Sequence, residues 1–376
     1  MSDPFTPFRP IAHDPLAYGR QWRQRSAGPL IGTLCSYAPE EIIVAAGGLP
    51  LRLLPSGGDT QEADVHLQAY SCSLIRGVLA DRRAGRLDLL DGTVFPHTCD
   101  SIQRLSDVWR LLSADRFHAD LVWPVTVNRP GAEAYAVEIL KAFAVRLGDA
   151  FGRPLEEAAL RAAAALYNRI RQGLRRLYGM LRQQPGRIAG EDLIAVLRAS
   201  QVMDRPALAD ALERLLDELA AAPPAAAGPG RKRLMLAGGV CDLPDLHRVI
   251  EAAGAAVVGD DLCTGWRYAA GRIHLDSGLD IWQALARCYL QRAVCPAKHA
   301  GITARGYALV AAARENRADG VVLVYLKFCD PHLFDYPYLK QSLEAVGVPV
   351  LMVELQEAHA AEGQLRTRLE AFVEML

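Results

Sequence analysis

Two cysteines follow short apolar runs that have the composition of buried strands. Cys99 follows residues 92–98, Cys329 follows residues 325–328, and an aspartate comes after each cysteine. The pattern predicts strands that carry a thiol to their C-terminal ends. Apolar residues at helical spacing follow Cys99, so we expect it at a helix N-terminus, where the helix dipole and unpaired N–H groups favour a thiolate. A thiolate is the form of cysteine that binds metals.

A third cysteine, Cys72, precedes another predicted helix. In an open parallel sheet, ligands bind beyond the C-terminal ends of the strands, where we expect Cys99 and Cys329. Three thiolates from three loops, two in a first domain and one in a second, can hold three irons of a [4Fe-4S] cluster between the domains. The fourth iron would then be open to a substrate oxygen and act as a Lewis acid.

Cysteine spacing alone does not select a metal. The chain has eight cysteines and no C-x-x-C pair, which excludes a zinc finger and a ferredoxin-type run. Buried, inert thiols are the commoner role of free cysteine. A closed zinc site made of Cys72, Cys99, Cys329 and His97 is a further alternative.

Composition indicates a soluble globular protein. The 42 basic and 43 acidic residues nearly cancel, so no nucleic-acid or membrane partner is expected. No uninterrupted apolar run reaches the length of about 18 residues that a membrane span needs, and no signal peptide is recognisable. We therefore predict a cytoplasmic protein. The glycine pairs do not form G-x-G-x-x-G, so no nicotinamide or flavin cofactor is predicted.

The order of strand and helix patterns predicts an α/β fold with two flavodoxin-like parallel-sheet domains and an α-helical insertion. The predicted parts are an N-terminal extension (1–31), a first α/β domain (32–130), the insertion (131–219), a Pro-, Ala- and Gly-rich linker (220–231) and a second α/β domain (232–376). Strands of the first domain are predicted over 49–54, 89–95 and 119–125. Four arginines of the insertion predict a solvated helix face: Arg169, Arg171, Arg175 and Arg176.

Several longer segments resemble the 2-hydroxyacyl-CoA dehydratase and benzoyl-CoA reductase subunit family, of the 2-hydroxyglutaryl-CoA dehydratase D-component type. They include Gly-Thr-Leu-Cys-Ser-Tyr-Ala-Pro-Glu-Glu at 32–41, Pro-His-Thr-Cys-Asp-Ser at 96–101, Asp-Asp-Leu-Cys-Thr-Gly-Trp-Arg at 260–267 and Leu-Lys-Phe-Cys-Asp-Pro at 326–331. The resemblance runs from about Gly32 to Leu376, and the helical middle is its least distinctive part.

The resemblance implies a [4Fe-4S] subunit that acts on an acyl-CoA or aryl-CoA thioester, with Cys72, Cys99 and Cys329 as cluster ligands. It also implies a homologous second subunit, in a heterodimer or a homodimer, and an ATP-dependent iron–sulfur activator as electron donor. The thioester carbonyl would bind at the open iron and become a ketyl radical, which loses a leaving group or begins ring reduction.

Two alternatives stay open beside this function. Related proteins hold a double-cubane [8Fe-9S] cluster and reduce small molecules, and Cys35, Cys263 and Cys295 would be its additional ligands. The chain would otherwise be a noncatalytic partner subunit that relays electrons or has a structural role. Cys241 and Cys288 are interpreted as core thiols.

Three residues near the expected cluster are candidates for catalysis. Ser36 would place a hydroxyl over the substrate, unless it is a structural cap. His97 would protonate a leaving hydroxide or a ring radical, and the alternative is a hydrogen bond that orients its loop. Glu40 opens a predicted helix, where acids also complement the dipole. The candidates for binding CoA phosphates are Arg267, Arg305 and Lys327.

Overall fold

The computed structural model describes residues 3–223, 230–241, 244–276, 278–355 and 362–376. Half of the predicted linker, at 224–229, lies outside the described residues. The strands are β1 (Leu30–Thr33), β2 (Leu49–Arg52), β3 (Gly92–Pro96), β4 (Phe117–Leu121), β5 (Lys232–Gly238), β6 (Ala255–Asp261), β7 (Gly320–Leu326) and β8 (Val350–Leu355).

Helices surround both groups of strands. In the first part of the chain they are α1 (Arg9–His13), α2 (Pro15–Arg25), α3 (Glu40–Ala45), α4 (Gln61–Asp64), α5 (Ser73–Arg83) and α6 (Asp100–Leu112). The middle of the chain forms α7 (Ala132–Phe151), α8 (Glu157–Gln183), α9 (Gly190–Ser200) and α10 (Arg205–Ala221). The remaining helices are α11 (Pro244–Ala252), α12 (Trp266–Ala269), α13 (Ile281–Gln291), α14 (Ala304–Glu315), α15 (Asp330–Glu344) and α16 (Glu362–Met375).

Both sheets are parallel and have the same strand order. The first is ordered β2-β1-β3-β4 and the second β6-β5-β7-β8. This is the flavodoxin-like order, in which the chain direction across the sheet reverses between β1 and β3, and again between β5 and β7. The predicted α/β class with two flavodoxin-like sheets is confirmed. Ligand sites of such sheets lie at these two reversal points.

Strand β1 is the main element of the first sheet that the sequence analysis does not predict. It begins at Leu30, two residues before the predicted start of the first domain, and all four of its residues are buried. Strand β4 spans Phe117–Leu121, slightly earlier than the predicted 119–125. A four-residue strand with a glycine carries too little periodicity to be recognised in sequence.

The middle of the chain is helical, as its pattern predicts, but its arginines do not form one solvated face. Arg169 is exposed and pairs with Asp210 and Glu213. Arg171 is buried, and its Nη2 donates to Glu41 Oε1 over 2.5 Å. The prediction of a solvated Arg171 is wrong because a carboxylate from α3 compensates its charge inside the protein.

The two halves share a hydrophobic core. One cluster of buried residues includes Ile31 and Trp123 of the first half, the inner face of α7, and Leu285 and Tyr289 of α13. Trp123 and Tyr289 stack with ring centroids 5.2 Å apart. Helix α13 thus follows a strand of the second sheet yet packs against the first half.

No helix in the described ranges is long and apolar enough to cross a membrane.

Candidate metal centre

The three predicted cluster cysteines share one structural position. Cys72, Cys99 and Cys329 are the N-cap residues of α5, α6 and α15, respectively. Burial raises the pKa of each thiol, and nearby backbone N–H groups of the first helical turn oppose this increase: Leu74 and Ile75 for Cys72, Ser101 and Ile102 for Cys99, and His332 for Cys329. Three positive helix ends therefore favour negative charge on these sulfurs.

The structure brings the three sulfurs into one electrostatic environment. Burial raises the pKa of the Cys329 thiol well above its usual value, and nearby Cys72 and Cys99 raise it further. Burial likewise raises the pKa of Cys72, and it raises the pKa of Cys99 to about 12. One thiol of the second half thus lies near two thiols of the first half.

These pKa values correct the expectation that a helix N-terminus makes Cys99 a thiolate. Desolvation outweighs the N–H groups of α6, so the thiol is protonated at neutral pH in the metal-free protein. A bound cation reverses this balance, because a coordinating thiol is deprotonated outright. The donor set, with three sulfurs in buried surroundings at three helix N-termini, fits an anionic iron–sulfur group.

The geometry differs from that of a site for a single ion. Among the residues that the structure describes, no group of three or more His, Cys, Asp or Glu side chains is close enough to hold one metal ion. A closed zinc site of Cys72, Cys99, Cys329 and His97 would need such a group, because zinc–sulfur bonds are about 2.3 Å long. The cysteine sulfurs that bind different irons of a four-iron cluster are farther apart than the ligands of one zinc ion.

The residue before Cys329 has an unusual backbone conformation. Phe328 has a φ of 65°, in the left-handed region that bulky residues rarely adopt. Strain of this kind concentrates at functional sites. The left-handed conformation of Phe328 lets the chain turn sharply from β7 into α15, and this turn places Cys329 at the N-cap of that helix.

A second set of thiols lies beside the first. Cys35, Cys263 and Cys295 are all partly buried. Burial raises the pKa of Cys295 to about 12, and Cys263 and Cys35 contribute to the increase, while Arg267 opposes it. Cys35 also raises the pKa of Cys99, and Cys263 raises that of Cys329. Each cysteine of the second set therefore lies near another cysteine of the site.

The three candidate catalytic residues have different surroundings. Ser36 Oγ donates to the backbone carbonyl of Cys263 over 3.1 Å, which places it at the second set of thiols. His97 Nε2 lies 2.8 Å from Asp120 Oδ1, so a carboxylate of the neighbouring strand orients the ring. Ser36 is therefore close to Cys263 in space, and His97 precedes Cys99 by two residues. Their catalytic roles stay predictions.

Glu40 lies in a buried network at the start of α3. Its Oε2 accepts hydrogen bonds from Tyr167 (2.8 Å), Arg205 (3.0 Å) and Tyr268 (3.0 Å). Its carboxylate is thus shared among helices α8, α10 and α12. A catalytic role for Glu40 also stays a prediction.

Two of the cations considered for CoA phosphates are paired with carboxylates inside the protein. Arg267 makes a bidentate contact with Asp261, at 2.7 Å for each nitrogen. Arg305 contacts the same Asp261 at 3.4 Å and Asp335 at 2.7 Å. Lys327 Nζ lies 5.2 Å from the Phe328 ring centre. The charges of Arg267 and Arg305 are therefore compensated within the fold.

His332 is a site residue that the sequence analysis overlooks. It is buried, and its Nδ1 lies 3.2 Å from Cys329 Sγ. Burial lowers the pKa of His332 well below its usual value, and Arg267 and Arg305 lower it further. The signal is present in the sequence, since His332 follows Cys329 by three residues at the start of a helix, where such residues are neighbours.

Fold and site together define a class: α/β proteins with two flavodoxin-like sheets whose strand-end cysteines converge from both halves. The chain belongs to the 2-hydroxyglutaryl-CoA dehydratase D-component family, whose model matches residues 35–376.

The chain is similar to proteins that are named as subunits of CoA-thioester dehydratases and reductases. The chain is 26% identical to the (R)-phenyllactyl-CoA dehydratase beta subunit of Clostridium sporogenes, over 99% of this chain and 98% of the relative. It is 28% identical to a benzoyl-CoA reductase subunit of Thauera aromatica, over 95% of this chain and 93% of the relative. It is 26% identical to the (R)-2-hydroxyglutaryl-CoA dehydratase beta subunit of Acidaminococcus fermentans, over 92% of each. The chain is thus an enzyme subunit of this family.

Proposed function

We propose that the chain is the [4Fe-4S] subunit of a low-potential, radical-type acyl-CoA enzyme, either a 2-hydroxyacyl-CoA dehydratase or a reductase of the benzoyl-CoA type. The observation that carries the proposal is the common position of Cys72, Cys99 and Cys329, at three helix N-termini contributed by both halves. The relatives support the substrate class, because their names describe CoA thioesters of hydroxy acids and of an aromatic acid.

Cys72, Cys99 and Cys329 would hold the cluster. When bound, a cluster with three protein thiolates supplies a low-potential electron and one iron that is open to the thioester carbonyl oxygen. The protein contributes backbone N–H groups that stabilise negative charge on the three sulfurs. It also buries Cys72, which limits access of water to that side of the site.

The partner of this chain would be a homologous second subunit, in a heterodimer or a homodimer. Support comes from the relatives, which are themselves named as subunits of larger enzymes. An ATP-dependent iron–sulfur activator would deliver the electron. Thiols that must stay reduced for ligation fit a cytoplasmic location.

Metal analysis of the protein purified under strict anaerobiosis tests the proposal. We expect about four irons and about four acid-labile sulfides per chain, with an electron paramagnetic resonance signal after reduction by dithionite. The variant Cys99→Ala should lose this iron while it keeps the fold, because one ligand is missing. Cys288→Ala is the matched control, since Cys288 is buried in the shared core and should not affect iron content. A Cys99→Ala protein with full iron would contradict the ligand assignment.

A second candidate function is favoured by the second set of thiols. A double-cubane [8Fe-9S] cluster would use Cys35, Cys263 and Cys295 as well, and about eight irons per chain would support it. A subunit that only relays electrons would bind about four irons, but a CoA thioester would leave its resonance signal unchanged. Perturbation of the signal by a CoA thioester would favour the catalytic role.

A further inference from the structure

His332 and Cys329 are in direct contact on the first turn of α15. The distance from His332 Nδ1 to Cys329 Sγ is 3.2 Å, within hydrogen-bonding range for sulfur. The imidazole is 6% exposed, so water does not compete for this nitrogen. A metal-bound cysteine sulfur has no proton and can only accept a hydrogen bond.

The other ring nitrogen faces a cation. Arg267 Nη1 lies 3.5 Å from His332 Nε2. A guanidinium has only N–H donors and stays protonated, so the nitrogen that faces it must accept. The two contacts of Arg267 with Asp261, both 2.7 Å, fix the guanidinium in this place. A neutral imidazole that accepts at Nε2 carries its proton on Nδ1, toward the sulfur.

The fold holds the ring in this orientation. Tyr325 packs against it, with ring centroids 5.7 Å apart. On another side it lies close to Gly239, where an added Cβ would stand 3.2 Å from the ring carbon Cε1. A glycine at position 239 therefore leaves the space that this imidazole occupies.

We propose that His332 is a positioning residue of the metal centre, whose Nδ1–H donates a hydrogen bond to the Cys329 sulfur and thereby raises the reduction potential of the group bound there. This inference rests on the proposed function, since it concerns the same cluster. Hydrogen bonds to the sulfurs are one of the factors that set cluster potentials. A donor stabilises the reduced form, which carries more negative charge on its sulfurs.

Two isosteric variants separate the donor from the space it fills. The amide nitrogen of asparagine can occupy the place of Nδ1, whereas that of glutamine matches Nε2. We expect the His332→Gln variant to keep its iron. At a fixed solution potential, its ratio of reduced to oxidised cluster should be about tenfold lower than in the unmodified protein. For a one-electron couple this corresponds to a reduction potential that is lower by about 59 mV. His332→Asn should restore the value of the unmodified protein.

The measurement is a redox titration followed by electron paramagnetic resonance. His247→Gln is the matched control, because His247 is also buried in the second half and packs against Gly190 of α9. An unchanged potential in His332→Gln with full iron would overturn the proposal. Equal shifts in the Gln and Asn variants, or loss of iron from both, would also overturn it, because the restored donor would then have no effect.

Nitrogen-15 magnetic resonance of histidine in the iron-free protein gives a readout that does not depend on the cluster. We expect the His332 signal, assigned by its disappearance in His332→Asn, to be that of the Nδ1–H tautomer. An Nε2–H tautomer would contradict the contact with Arg267. If the unmodified protein binds no iron, the proposed function fails, while this spectrum still decides whether His332 has the inferred tautomer.

Discussion

At the scale of single residues, several buried charged groups of this protein are paired with one another inside the fold. Arg205 has a fully buried side chain, and its Nη2 lies 3.0 Å from Glu40 Oε2. Tyr167 donates to the same oxygen over 2.8 Å and also accepts from Arg205 Nε. Removal of one partner of such a pair leaves an uncompensated buried charge. The sequence position of Glu40, at a helix start, does not show this partner, which comes from α10.

We therefore expect Glu40→Ala to lower the free energy of unfolding by about 3–5 kcal/mol. Denaturant unfolding of the metal-free protein measures the change. Glu213→Ala is the control, because it removes an exposed partner of Arg169 and should barely move the unfolding midpoint. Equal midpoints for the two variants would show that the Glu40 network does not stabilise the fold.

At the scale of elements, the turn after β5 depends on close approach of two strands. Gly238 has a φ of 153°, and an added Cβ would stand 1.9 Å from the backbone oxygen of Val324 on β7. Only glycine fits at this point of the sheet. By contrast, Gly179 lies within α8, and an added Cβ there would meet nothing within 4 Å.

Alanine at these two glycines should therefore have opposite effects. Gly179→Ala should raise the free energy of unfolding by about 0.5–1 kcal/mol, since glycine is a poor helix residue. Gly238→Ala should lower it by more than that gain, because backbone atoms of β5 and β7 must move apart. Thermal unfolding followed by circular dichroism compares the two variants. A stabilised Gly238→Ala protein would contradict the described packing of β5 on β7.

Much of the element pattern could be predicted from sequence, because buried parallel strands are short apolar runs and the helices between them have regular spacing. The placement of Cys99 and Cys329 after strands follows from the same patterns. The burial of Arg171 could not be predicted, because its partner Glu41 lies 130 positions earlier in the chain. The orientation of His332 likewise depends on Arg267, which belongs to a different connection of the sheet.

At the scale of the whole molecule, the two halves are joined by contacts as well as by the chain. The Tyr289 hydroxyl on α13 lies within hydrogen-bonding distance of Glu41 Oε2, at 2.6 Å, and of the carbonyl of Ala38, at 3.0 Å. Lys298 Nζ donates to the carbonyls of His97 (3.2 Å) and Trp123 (3.0 Å). These bonds connect the second half to the loops that surround the first-half thiols.

We expect the two sheets to unfold in one transition. Hydrogen exchange can be measured at increasing denaturant concentration, separately for peptides from β3 and β7. Both peptides should lose amide protection at the same denaturant concentration. Tyr289→Phe should lower both midpoints together, by about 1–3 kcal/mol in unfolding free energy, because buried acceptors lose their donor. Tyr307→Phe, at an exposed tyrosine, should change neither. Two separate transitions in the unmodified protein would contradict the coupling.

The convergence of thiols from both halves has a consequence for biosynthesis. Cys72 and Cys99 leave the ribosome long before Cys329, which follows β7 in the second sheet. A metal group that needs all three sulfurs would therefore be acquired only after translation of both halves, and Cys72 and Cys99 would have to stay reduced until then. Maturation of this protein would then depend on how long the nascent chain is protected from oxidants.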